Sequence, residues 1–195
     1  MAFFIERGDS MATCGPNESG NMETLHLSPI GVVRSDLKTP MPAPDQSNQS
    51  LNERMATIRA YRQRVATAVC DLVIDPQWED LLDGIEAFSH ILVLYWPHLV
   101  DPARRRVRMI RPMGRSDLPL QGILATCSPA RPNPVLVSAV PLVARQANVL
   151  TVKRLEAVDG SPIIDVKPYS RGYMQVDDLK QPPWLERVQR ELESE

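Results

Sequence analysis

The sequence predicts a mainly β protein, a single closed or nearly closed β-barrel with a few short helices. Three observations carry that prediction. Prolines number 18 against 9 glycines in 195 residues, which disfavours a helical bundle and suits strands joined by fixed turns. Apolar runs of strand length recur from Ile30 to Val166 with turn signals between them,. No regular alternation of strands with longer helices is visible, and neither the GxGxxG nor the P-loop fingerprint occurs, so nothing supports a doubly wound nucleotide-binding sheet. Closure is favoured over an open sheet because it removes unpaired edges.

Taken in order, residues 1–24 read as a flexible tail rich in Gly, Ser, Asn and Asp, with Met11 and Met22 as alternative starts,. A barrel domain is expected over 25–170 and a C-terminal extension with a short helix over 171–195. Leu27 to Ser35 reads as a strand. Pro40, Pro42 and Pro44 force an extended loop,. Leu51, Met55, Ile58, Arg62 and Val65 recur at helical spacing. Ala66 to Ile74 reads as a strand, and Asp75-Pro76 opens a short helix ending near Gly84. Phe88 to Tyr95 is apolar on both faces, as a central strand should be. Further strands are expected over Gln121–Thr126, Val135–Ala144, Val149–Leu155 and Pro162–Val166, with a turn at Val158 to Ser161. Pro182-Pro183-Trp184 opens a last helix from Leu185 to Glu193.

Composition excludes several classes. The hydrophobic fraction is 43% and the net charge −2, which rules out a fully disordered chain or a strongly basic nucleic-acid coat. Three widely spaced cysteines form neither a disulfide framework nor a zinc knuckle,. Free thiols suit a cytoplasmic location. The longest apolar run, Ile91 to Pro97, is too short for a bilayer span, and no signal peptide is visible,.

Few residues carry distinctive chemistry. His90 and His98 lie too far apart along one strand, about 26 Å, to share a metal. His90, between Phe88 and Leu92, reads as a hydrogen-bonded core histidine, and His98 as the residue better placed to line a pocket. Arg104, Arg105, Arg106, Arg108, Arg111 and Arg115 crowd one segment. They are either a solvated loop or a patch that tracks phosphates, which the guanidinium fork matches. In Ser128 to Pro134, three prolines stiffen a loop that carries Ser128, Arg131 and Asn133,. Asp165 and Lys167 share a face at a strand end, as an ion pair or as site residues.

Four ordered runs resemble the TsaA-like (TrmO) family: PIGVVRS (Pro29–Ser35), GIEAFSHILVLYWPH (Gly84–His98), GILATCSPARPNP (Gly122–Pro134) and VDGSPIIDVKPY (Val158–Tyr169). The resemblance implies a β-barrel homodimer that binds S-adenosylmethionine near the dimer interface. The implied activity is methylation of N6 of threonylcarbamoyladenosine beside the tRNA anticodon. By position, Gln46, Ser47, Pro97, His98, Cys127 and Val137 would line the cofactor pocket, and Arg154, Leu155 and Glu156 would supply backbone contacts to adenine. Cys127 stands where the family usually has arginine, and Val135-Leu136 where it has Ile-Gly. Only about 25 residues follow Tyr169, so the further C-terminal domain of many bacterial members is expected to be absent.

Two readings follow. In the first, the chain is a tRNA methyltransferase: Asp165 is the candidate base, Arg105, Arg106, Arg131, Asn133 and Lys167 hold RNA, and neither metal, DNA nor membrane is involved. In the second, it is an S-adenosylmethionine-binding regulatory module or a small-molecule methyltransferase.

Overall fold

A computed structural model of the chain describes residues 25–42 and 49–193. Six strands close into a barrel in the order β1-β2-β7-β6-β3-β8. They are β1 (Gly31–Arg34), β2 (Val69–Ile74), β3 (His90–Tyr95), β6 (Leu136–Gln146), β7 (Val149–Lys153) and β8 (Pro162–Pro168). A separate two-stranded piece pairs β4 (Met109–Ile110) with β5 (Gln121–Gly122). The helices are α1 (Leu51–Thr67), α2 (Arg171–Met174) and α3 (Pro183–Glu193). The expected mainly β barrel is therefore the observed architecture.

All barrel pairings are antiparallel. Gly31 of β1 lies opposite Ile74 of β2 and Ile163 of β8, which closes the ring. A side chain at Gly31 would meet the Val73 carbonyl oxygen at 2.4 Å, so only glycine lets β1 approach β2 there. Inward residues Val33, Leu72, Ile91, Val93, Val140, Leu150 and Val152 are fully buried and fill the barrel,. β3 pairs with β6 and β8; the ring is closed, so no strand is central, and the apolar run expected of a central strand is a wall strand like the other five.

The helix expected from Leu51 forms and carries a capping box. Ser50 Oγ accepts from the Glu53 amide at 3.3 Å, and Glu53 Oε2 accepts from the Ser50 amide at 2.8 Å, which contributes about 1 kcal/mol. Its buried Arg54 donates to the carbonyls of Pro42 and Met113, both at 2.9 Å, and so ties α1 to the loops around it.

Several elements differ from expectation. Gln121–Thr126 is not one strand: β5 is two residues long and Ile123–Ala125 is a 3-10 turn. With Pro119 just before and the SPARPNP run just after, no room remains to extend a ladder. The segment after Asp75 is also 3-10, Pro76–Leu82, with the Asp75 cap and the left-handed Gly84 where expected. His90 does bond, its Nδ1 lying 3.0 Å from Ser89 Oγ, but it is exposed rather than in the core. It starts β3 with outward phase, while Ile91 points inward,.

Candidate functional site

One end of the barrel is formed by the C-termini of β1, β3 and β7 and the N-termini of β2, β6 and β8. The chain after β7 closes it. Arg154 adopts a left-handed φ of 63° and its amide donates to the Ala68 carbonyl at 2.9 Å. Leu155 and Ala157 then turn into the core, and Val158 packs with Leu37 and Tyr61 of α1. Asp159 accepts from the Ser35 amide at 3.0 Å and pairs with Lys38 at 3.0 Å. Those two partners hold its carboxyl below the ordinary range, the Ser35 bond first.

Gly160 takes a φ of 78°, and a side chain there would sit 3.5 Å from His98 Nε2. The turn is therefore a platform for the His98 ring, and it needs glycine for its backbone angle,. Ser161, with no exposed surface, places its Oγ 3.5 Å from His98 Nδ1. His98 follows β3 directly, and its amide donates to the Trp96 carbonyl at 2.9 Å.

Beside this platform lies a polar cluster that sequence reasoning missed. Tyr95 ends β3 and its hydroxyl is bonded to Ser138 of β6. Burial, reinforced by the Glu156 charge, pushes the phenol up to about 12. Tyr61 is raised still further, again by burial first and then by Glu156 and Tyr95. Glu156 itself reaches solvent, yet the protein around it raises its carboxyl, with the Arg62 charge opposing,. Two phenols and a carboxyl thus feel one another's charge at this end of the barrel. The inward phase of Tyr95 among Ile91 and Val93 was a legible signal, because a buried phenol needs a partner. Ser138, three strands' worth of sequence away, had none.

The structure gathers some expected site residues and separates others. Pro97, His98, Arg154, Leu155 and Glu156 all belong to the segments at this end. Val137 sits on the outer face of β6 opposite Leu94, 57% exposed. Gln46 and Ser47 lie outside the described residues, just before α1. Cys127 is exposed. In the stiff loop, Ser128 Oγ accepts from the Ala130 amide at 3.2 Å and Arg131 donates to the Thr126 carbonyl at 3.1 Å. The loop is self-bonded, and Asn133 is exposed.

Asp165 is elsewhere. It lies on the outer wall opposite Leu94, pairs with Lys167 at 2.5 Å and caps the Val166 amide at 2.9 Å. It also borders a cavity of about 500 Å³ whose walls include Trp78, Phe88, Ile30 and Leu82. In the arginine segment, Arg105 lies over the Trp96 ring, its guanidinium carbon 5.0 Å from the centroid. Arg106 and Arg108 are exposed. Arg111 donates to the Leu118 carbonyl at 2.5 Å. Arg115 is buried and ion-paired to Asp117 and Glu191, so it is no part of a phosphate-tracking surface. Among the described residues, no three His, Cys, Asp or Glu side chains form a metal-binding group, and no helix is long and apolar enough to cross a membrane.

Residues 32–175 match the family described as tRNA-methyltransferase O N-terminal domain. A probable S-adenosyl-L-methionine-binding protein of Methanothermobacter thermautotrophicus is 39% identical over 155 residues, covering 80% of this chain and 95% of the relative. The tRNA (adenine(37)-N6)-methyltransferase of Escherichia coli is 30% identical over 154 residues, covering 76% of this chain and 59% of that protein. The crystal structure of TrmO from Pseudomonas aeruginosa superposes with a TM-score of 0.59 at 23% identity, over 83% of this chain and 63% of that one. The chain thus spans about three fifths of the last two proteins. With the four sequence runs, the closed barrel and a family match over most of its length, the chain belongs to the tRNA-methyltransferase O N-terminal domain family.

Proposed function

We propose that this protein is an S-adenosylmethionine-dependent methyltransferase whose acceptor is N6 of threonylcarbamoyladenosine beside the tRNA anticodon. The observation that carries the reading is the polar end of the barrel, where the His98 platform and the Tyr61–Tyr95–Glu156 cluster adjoin the family's expected cofactor segments. The donor set suits the cofactor. Glu156, a solvent-reaching carboxylate at this end, offers a negative charge to a positively charged ligand. The backbone of 154–156, whose Arg154 amide is engaged by Ala68, would supply its other peptide groups to a purine edge.

Bound there, S-adenosylmethionine supplies an electrophilic methyl on a sulfonium, so no metal is required by the chemistry. The chain's own residues position and desolvate. Pro97, His98 and Glu156 would hold the cofactor, together with Gln46 and Ser47. The acceptor nitrogen carries an acyl group, which makes its N–H more acidic and in need of a proton acceptor. In this reading Glu156, with its raised carboxyl, takes that proton in preference to Asp165, which is engaged with Lys167. Arg105, Arg106, Arg131 and Asn133 would contact RNA. A second copy would cover the outer face of β3 and β6, where Val137 and Leu94 stand, as a twofold dimer. The cytoplasm is the compartment this substrate implies.

The second reading is a cofactor-binding regulator or a small-molecule methyltransferase. It is favoured by the Methanothermobacter relative, which matches over nearly its whole length and is named only for cofactor binding. Isothermal titration of the full chain with S-adenosylmethionine tests what the readings share. Micromolar to millimolar binding, weakened by Glu156→Gln and by His98→Ala more than by His90→Ala, supports the site; no heat refutes it.

A further inference from the structure

We infer that the Trp96 indole and the Arg105 guanidinium laid over it form a stacking platform for an unpaired base of the acceptor RNA. The inference deepens the tRNA reading and rests on it.

The pair is built from both sides. Trp96 is the residue between Tyr95, which ends β3, and the Pro97-His98 step, so it stands beside the proposed methyl-transfer site. Its amide donates to the Pro162 carbonyl at 2.9 Å, and its carbonyl accepts from the His98 amide at 2.9 Å. Backbone bonds on both sides fix the indole's place. Arg105 comes from a 3-10 turn, Pro102–Arg106, that Asp101 caps by accepting from the Ala103 amide at 2.8 Å. Its guanidinium carbon is 5.0 Å from the indole centroid, within cation–π range,.

Among the described residues no carboxylate pairs with Arg105, whereas Arg115, Arg145 and Arg187 all have acidic partners. Trp96 and Arg105 are both only half-buried, so part of each remains for a ligand. A base can stack on the plane while the fork reaches a phosphate. Arg106 and Arg108, both exposed, extend the positive charge away from the ring. An aromatic ring beside a cationic track is the combination that holds single strands, because every base has a π-face and every nucleotide a phosphate. An RNA loop supplies splayed bases, while a continuous duplex does not.

Labelled RNA binding to the full chain tests this by fluorescence anisotropy, with a hairpin carrying a seven-nucleotide loop compared with a fully paired duplex of equal length. Preference for the hairpin is expected. Trp96→Leu should weaken hairpin binding roughly tenfold to a hundredfold, and Trp96→Phe should retain most of it. Neither should change cofactor affinity measured by titration. Arg105→Lys keeps the charge but removes the plane, so hairpin affinity should fall while its salt dependence stays. That variant decides the matter if Trp96→Leu does not fold. Hairpin and duplex bound equally, or variants that bind the hairpin as wild type does, would overturn the platform and leave the RNA reading standing. A wild-type chain that binds cofactor but neither RNA would overturn both.

Discussion

The two ends of the arginine-rich stretch, Arg104 to Arg108 and Arg111 to Arg115, put the same side chain to opposite uses. At the first end Arg105 lies on an indole, and Arg106 and Arg108 face solvent. At the second, Arg115 is 3% exposed. Its Nε and Nη2 donate to Asp117 at 3.0 and 2.6 Å, and Nη1 reaches Glu191 of α3 and the Met55 sulfur of α1. Arg187 adds a second guanidinium on Asp117 at 2.8 Å. One end is thus a charged surface available to a ligand. The other is a clamp that fastens the C-terminal helix, through buried Val188 as well, to α1 and the loop before β5. Charge counted along a sequence does not tell these apart: Asp117 is only two residues from Arg115, but its second carboxylate partner, Glu191, lies 76 residues away.

The sharpest way to break the comparison is Arg115→Ala. Arg115 is buried, but Asp117 and Glu191 are each about one third exposed and keep Arg187 as a partner, so a loss of about 1.5–3 kcal/mol is expected, read by denaturant unfolding. A loss below about 1 kcal/mol would put Arg115 with the surface arginines.

Acid sharpens it further. Asp117 and Glu191 are held below the usual carboxylate range, chiefly by hydrogen bonds from Arg115. A depressed carboxyl contributes stability that is complete above its unfolded value, near ~4, and lost as pH falls through its folded value. The wild-type stability should therefore fall below about pH 4.5, and the gap to Arg115→Ala should narrow as pH drops. A gap that stays constant down to pH 2 would show that the carboxyls are not linked to the clamp.

The smallest effect belongs to the exposed end. Arg106→Ala should change stability by no more than about 0.5 kcal/mol, while lowering the salt slope of RNA binding by about 1. A marked loss of thermal stability would mean that this turn, too, is structural.

Much of the barrel was legible because its signals are local. The apolar run of β3, the helical spacing from Leu51, the Asp75 cap and the glycine of the DGSP turn each depend on neighbours within a few residues, whereas the phase of β3, which puts His90 outside, does not. The platform under His98 was half legible: the sequence marks the Gly160 turn and places His98 at a strand end, but only closure of β3 against β8 brings them together. The Tyr95–Ser138 bond and the charge shared among Tyr61, Tyr95 and Glu156 depend on elements 34 to 95 residues apart in number along the chain. Asp165 and Lys167 were open to either use, and the ion pair at 2.5 Å is what the strand end forms.

The central claim is methyl transfer to a modified adenosine in tRNA. Its most direct test is to incubate the full chain with S-adenosylmethionine labelled on the methyl group and tRNA bearing threonylcarbamoyladenosine, then digest and weigh the nucleosides. The account expects labelled methyl on that nucleoside, lost with Glu156→Gln at unchanged fold. Cofactor binding with no label in any tRNA nucleoside would contradict it and favour a regulator or a small-molecule enzyme.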